Sequence, residues 1–319
     1  MGGLCIIKAM LTQTKDIKGI LDRVVTDRLR GFTVRKFARD GGEGHNLKCL
    51  IDDPADPRVV ILFGGTNFMV YGDIHRLNGV MSDLLGGMVD AEDGWPDPGM
   101  ENDFKEHMEG HRGIFLNTAP YAVWRAAIIA GFDPHPDDKK GQVAYQWYWE
   151  GEPRYSHLIE HSCRAVEGQE LFELMKLAVH YDPDGHYIKM CLNNGPSFVC
   201  EVDGEPVCWS CTHLNGTMGM IYTPDELRRK GYARSLAAFQ LDYMLKRDGL
   251  ACCHVIDYNT ASMNMVQSLG AICIPEPLVW RTVWWPGEAP PPQPKDEREP
   301  ANEGDSQDSC DCGGSEKLE

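Results

Sequence analysis

The residues best placed to do chemistry are Arg228-Arg229-Lys230-Gly231-Tyr232-Ala233. An apolar run ends at Tyr222, Thr223-Pro224-Asp225 breaks it, and a helical pattern opens after Gly231. The first N–H groups of a helix have no intrahelical partner and carry the positive end of its dipole. Gly231 and the small Ala233 allow backbone to approach a ligand closely. Three cations share the turn, so the segment reads as a pyrophosphate site. The bland alternative is a basic helix start that merely terminates a strand. Its place behind a strand of a meander favours the phosphate reading.

Other chemistry-bearing residues are less well arranged. Cys208 and Cys211 have zinc and redox spacing, but on a strand residues i and i+3 face opposite ways. His157 and His161 share one face if their segment is helical, with no third ligand in sight. Cys310-Asp311-Cys312 is a lone thiol pair in an acidic tail. No metal site is expected from any of them. His254, on an apolar strand, and His213, beside a turn, are the imidazoles able to accept a proton near neutral pH.

The elements that must hold the basic turn are legible between residues 195 and 285. Phe198–Val202, Pro206–Thr212 and Thr217–Tyr222 read as strands joined by Asp203-Gly204 and Asn215-Gly216, the strongest two-residue hairpin signals. Ala233–Asp248 is a helix stopped by Gly249, followed by strand Ala251–Ile256, helix Thr260–Leu269 and strand Leu278–Trp285. This β-β-β-α-β-α-β order mixes antiparallel hairpins with a crossover. Upstream, the pattern predicts an amphipathic first helix within 7–30, then strands Phe32–Phe37, Asn46–Ile51 and Arg58–Phe63. Asp73–Leu85 reads as a helix, 86–112 as an irregular connection, and 113–185 as mostly helical, with Leu171, Leu174 and Leu177 or Ala178 on its apolar face.

Two spacings together resemble the GNAT N-acyltransferase superfamily. Arg-x-x-Gly-x-Ala at 228–233, between a strand and a helix, is similar to its motif A. Asn259-Thr260-Ala261-Ser262 leading to Leu269-Gly270 resembles its Asn-x-x-Ala…Leu-Gly segment, with Ser262 in place of the Ala. Nearer still is the glycine N-acyltransferase family. Gly204-Glu205-Pro206-Val207-Cys208-Trp209, Cys253-His254-Val255 and Asn46-Leu47-Lys48-Cys49-Leu50-Ile51-Asp52 each resemble one of its segments. The resemblance implies an α+β GNAT fold, a mixed, mostly antiparallel sheet flanked by helices, in two lobes. The division would be 1–150 for a degenerate lobe, 151–286 for the N-acyltransferase lobe and 287–319 for a disordered tail.

The same resemblance implies acyl-CoA or acetyl-CoA as co-substrate, without a metal. Arg228, Arg229, Lys230, Gly231, Tyr232 and Ala233 would hold its pyrophosphate. Met220, Ile221 and Tyr222 would pair with the pantetheine arm, which Asn259 and Ser262 would face. The acceptor would be a small amine, most simply glycine or another amino acid. The family's catalytic Glu falls at Thr217, which cannot serve as a base, and the Tyr that many GNAT proteins use as an acid falls at Val266. His254 is therefore the substitute catalytic candidate, and His213 a second. An acetyltransferase for another amine, or an acyl-CoA-binding module without chemistry, are the alternatives.

Composition limits the classes. A net charge of −17 opposes nucleic-acid binding, which needs clustered Lys and Arg. No run approaches the ~20 apolar residues of a membrane span. Twelve cysteines without a secretory signal pattern read as reduced core. Met1-Gly2-Gly3 lacks the hydroxyl residue of a myristoylation start, and Asp16, Asp22 and Asp27 oppose a transit peptide. The expected setting is intracellular, cytoplasmic or mitochondrial. Beyond Pro286 the chain is Pro-rich, then acidic, with too few apolar residues to offset ordering entropy.

Overall fold

The computed structural model describes residues 12–25, 28–38, 47–64, 67–73, 113–134, 143–178, 185–287 and 289. The N-terminal half runs β1 (Thr12–Thr14), α1 (Ile17–Val24), α2 (Arg28–Lys36), β2 (Lys48–Ile51), β3 (Val59–Gly64), β4 (Asn67–Gly72), β5 (Gly113–Pro120), α3 (Tyr121–Ile129) and β6 (Val143–Glu150). The C-terminal half runs β7 (Ser162–Val166), α4 (Phe172–Ala178), α5 (His186–Asn194), β8 (Ser197–Val202), β9 (Glu205–Thr212), β10 (Met218–Tyr222), α6 (Tyr232–Asp248), β11 (Leu250–Ile256), α7 (Thr260–Ser268) and β12 (Ile272–Trp284). The strands form one sheet in the order β1-β2-β3-β4-β5-β12-β6-β11-β10-β9-β8-β7.

Only β4/β5 and β10/β11 are parallel among these pairings, and each pair marks the centre of one lobe. Between them the halves exchange strands. β6 pairs along the whole of β11, while β12 pairs with β5 on one side and β6 on the other. Trp147 and Trp149 of β6 thus enter the core of the C-terminal lobe, with Leu241, Met244, Cys253 and Val266. Val279 and Val283 of β12 pack reciprocally in the N-terminal lobe with Val59, Phe68 and Val123. Burial of two Trp side chains across the exchange makes separate lobe folding costly.

Local sequence explains the elements nearest the basic turn. Asp203 and Gly204 both adopt positive φ, 53° and 84°, as a tight two-residue hairpin needs. The Asn215-Gly216 turn differs from expectation: only Gly216 has positive φ, and His213 N donates to Thr217 O across a wider loop. Gly249 ends α6 at φ 66°, its N–H donating to Leu245 O. Asn259 caps α7, its Oδ1 accepting from Ser262 N at 3.0 Å.

Four expectations are corrected. Residues 32–36 lie in helix α2 rather than a strand, because Val34 and the following Phe37, three apart, both bury against Val60, Leu62 and Met69. The 113–185 stretch holds strands β5, β6 and β7 between its helices, and Asn67–Gly72 is a strand where none was expected. The expected apolar face does form: Leu174 and Ala178 of α4 pack with the buried Leu171 and Met175, while Leu177 stays exposed. His157 and His161 do not share a helix: a single 3-10 turn at Ser156–Leu158 ends before His161. The helix expected at 73–85, the 86–112 connection and the tail lie outside the described residues, apart from Asp73, Gly287 and residue 289. Within 7–30, α1 and the start of α2 are helical, and the acid Asp16 caps α1 through Gly19 N.

Candidate active site

The basic turn follows a 3-10 turn at Asp225–Leu227. Arg229 and Gly231 stand at φ 63° and 85°, folding the backbone back so that Gly231 becomes the N-cap of α6. Gly231 supplies no side-chain cap, so the first amides of a 17-residue helix are left for another partner. Arg228 is exposed, its guanidinium donating to Thr223 O at 3.0 Å and pairing with Asp225 at 2.6 Å. Arg229 and Lys230 remain exposed, with no ion pair among the described residues.

Neighbouring elements brace this helix start. Ser235 Oγ accepts from Glu160 N at 2.9 Å and donates to Leu158 O at 3.3 Å. A ring nitrogen of His161 lies 3.2 Å from Lys230 O, and the ring packs edge-on to Tyr232, centroids 4.6 Å apart. His161, unassigned by spacing alone, is thus a wall of the basic turn. Ala233 and Tyr232 pack below against Phe198, Cys200 and Leu236.

Strands β10 and β11 are in register only at Met218 and Cys253 and diverge beyond. The β10 register against β9 shifts between Gly219 and Tyr222, where Met220 takes φ 52°. A bulge with a non-glycine residue in this region costs roughly 1–3 kcal/mol and typically re-aims the backbone beside a site. Met220, Ile221 and Tyr222 are half-buried along the cleft, and Tyr222 stacks near Trp209 at 5.4 Å. Asn259 and Ser262 stand at the start of α7, with the Asn259 oxygen already engaged as the helix cap.

At the apex of the cleft the structure brings both candidate imidazoles together. His254 follows Cys253 on β11, opposite the buried Gln146 of β6. Its Nε2 is buried with no hydrogen-bond partner among the described residues. Burial, and the neighbouring His213, hold its pKa down to about 3. His213 is buried, its Nδ1 lies 2.9 Å from Tyr187 Oη, and its ring meets the edge of Trp280 at 5.2 Å. Burial lowers its pKa to about 4. Both rings are neutral at physiological pH.

Thr217 is 1% exposed, and its hydroxyl donates to Asn215 Oδ1 at 2.8 Å. It fixes the turn behind His213 and carries no ionisable group. Val266 is buried in the core. Cys208 and Cys211 face different clusters, as the strand spacing predicted. The described cysteines are free thiols, and no group of metal-ligating side chains occurs among the described residues. A cavity of about 810 Å³ lies under α1 and α2 and reaches Gln146, Ile274, Glu276 and Leu278, one strand from His254.

With this geometry in place, comparison is informative. Residues 198–285 match the family model for the C-terminal region of aralkyl acyl-CoA:amino acid N-acyltransferases. Over those residues the chain is glycine N-acyltransferase-like and of GNAT type. Among solved structures, a Drosophila protein superposes with a TM-score of 0.60 at 10% identity, over 87% of this chain and 99% of its own. A tandem GNAT protein from the clavulanic acid biosynthesis pathway gives 0.50 at 11% identity, over 89% and 100%. At such identities the likeness concerns the fold, and it fits two GNAT-like lobes across the whole sheet. No curated protein matches the sequence.

In this GNAT domain the residues that sequence reasoning missed are Tyr187, Trp280 and Gln146. Each reaches the imidazole pair from a different element: α5, β12 and the exchanged β6. No local spacing links them to His213 or His254.

Proposed function

We propose that the chain transfers an acyl group from acyl-CoA, acetyl-CoA in the simplest case, to the amine of glycine or another small amino acid. The observation that carries this reading is the uncapped start of α6, flanked by exposed Arg229 and Lys230 at the mouth of a splayed strand pair. Those amides and cations suit a pyrophosphate. Arg228 orders the loop through Asp225, and Gly231, Tyr232 and Ala233 form its floor. Met220, Ile221 and Tyr222 would lie along the pantetheine arm, with Asn259 and Ser262 opposite. The acceptor would approach from the cavity beside Gln146, and His254 would take its proton. We assign the lobes to 1–150 and 151–286, followed by a tail, with the strand exchange joining them.

The burial of Thr217 at the family's Glu position favours a second reading, a module that holds acyl-CoA without turnover. Thiol release from acetyl-CoA and benzoyl-CoA, assayed against amino acids and polyamines, separates the two. Turnover with an amino acid is expected. Tight CoA binding with no turnover on any acceptor would leave only the binding module. Arg229→Glu with Gly231→Asp should weaken CoA binding by roughly 10²-fold, by charge reversal and by forcing a side chain onto positive φ. Unchanged affinity would remove the pyrophosphate from this turn.

A further inference from the structure

The Tyr187–His213 contact has a chemical consequence for the cleft. Tyr187 stands on α5, twenty-six positions before His213, and its hydroxyl lies 2.9 Å from His213 Nδ1. The imidazole is held on its other sides as well. Trp280 meets its ring edge-on, and its backbone is pinned by His213 N donating to Thr217 O and Gly216 N donating to His213 O. Its Nε2 lies directly over Gly219, so a methyl group on Gly219 would overlap the ring. Gly219 opens the bulge of β10, at the level where β10 and β11 separate.

We propose that Tyr187 is a positioning residue that makes His213 a neutral hydrogen-bond donor to the thioester carbonyl oxygen, leaving His254 to take the acceptor's proton. This rests on the acyl-transfer reading above. A phenol that donates to Nδ1 leaves the hydrogen on Nε2, the nitrogen that lies over Gly219 where β10 and β11 separate. A neutral imidazole N–H aimed where negative charge develops stabilises an oxyanion without a proton transfer of its own. His254, whose buried Nε2 has no partner among the described residues, is the complementary acceptor. The amine nitrogen attacks the carbonyl carbon, and the π pair moves to oxygen, which accepts from His213 Nε2–H. The ammonium proton passes to His254 Nε2. The carbonyl re-forms, the C–S bond breaks, and the proton returns to sulfur, giving the amide and free CoA thiol. The depressed basicity of His254 does not block this sequence, because the negative oxygen formed beside it favours the imidazolium.

The test has two readouts. Long-range 1H–15N spectra at neutral pH, with His213 assigned through a His213→Gln variant, report the ring tautomer. The Nε2–H form is expected in the wild type, and an Nδ1–H form or an imidazolium overturns the proposal. In Tyr187→Phe, kcat should fall roughly 10²-fold with the KM for acetyl-CoA unchanged. Gly219→Ala, which displaces the same ring from the opposite side, should reproduce that split. Wild-type kcat in both folded variants refutes the assignment. Circular dichroism and retained CoA binding establish folding. Should the wild type turn over no acceptor, the acyl-transfer reading fails, whereas the tautomer still judges Tyr187 and His213 separately.

Discussion

His213 makes a quantitative claim about stability in mild acid. Its imidazole is 8% exposed and its pKa falls from the ordinary 6.5 to about 4, through burial. The folded state therefore refuses a proton that the unfolded state accepts once the pH drops below the ordinary value. The resulting stability is complete above about pH 6.5, declines as pH falls, and stops changing once the folded group itself titrates near 4. At about pH 5 the unfolded ring is protonated some 1.5 pH units below its pKa, so each such group removes about 2 kcal/mol relative to pH 7.5. His254, with its pKa near 3, should add a similar amount. Urea unfolding of wild type and His213→Gln at the two pH values isolates the effect as a difference of differences. The wild type should lose about 2 kcal/mol more than the variant between those conditions. In the variant His254 also loses a neighbour whose charge opposes its own protonation. Equal losses in both proteins would mean that His213 titrates normally, and that the apex is wet rather than buried.

Substitutions at two further positions probe the site. Thr217→Glu restores the family's carboxylate but places it in a site 1% exposed and removes the bond to Asn215. It should cost roughly 3–5 kcal/mol in urea unfolding and raise no activity. A more active variant of normal stability would show that the site still accommodates the family's base. Asn259→Ala should lose about 1 kcal/mol as a helix cap, while Asn259→Asp keeps the cap and the stability. If acetyl-CoA affinity falls in Asn259→Asp despite normal thermal unfolding, the side-chain amide has a ligand contact beyond its capping role.

What the sequence disclosed depends on how local each determinant is. The turn at Asp203-Gly204 is written in two residues, and both take the positive φ their types permit. At Asn215-Gly216 the same signal misleads, because Asn215 uses its side chain to accept from Thr217 instead of adopting positive φ. The run Phe32–Phe37 contains β-branched Thr33 and Val34, so local propensity reads it as a strand. Packing of Val34 and Phe37 on Val60 and Leu62 decides for a helix. The strand carrying Trp147 and Trp149 is flanked by β11 and β12, both far along the chain, so no neighbouring residues announce it. The basic turn was visible since its cations, glycine and helix start adjoin in sequence. The imidazole pair was visible only as two separate histidines.

The strand exchange supplies a physical reason for that asymmetry. On the proposed function, coenzyme recognition would draw on one continuous stretch, from Met220 to Ser262, within the C-terminal lobe. The apex draws on β11 and the His213 turn, with Gln146 arriving on a strand from the N-terminal half and Trp280 on the strand that crosses back. Neither lobe alone contains every wall of the apex. A degenerate lobe would then persist because it delivers β6 beside His254 and receives β12, whether or not it binds a ligand itself. On this argument, loss of the family's Glu and Tyr is tolerable only where the second lobe keeps the apex dry enough to hold both imidazoles neutral. The acid sensitivity of folding follows from the burial of His213 and its tautomer from the Tyr187 contact, and both should fail together if the lobes are pried apart.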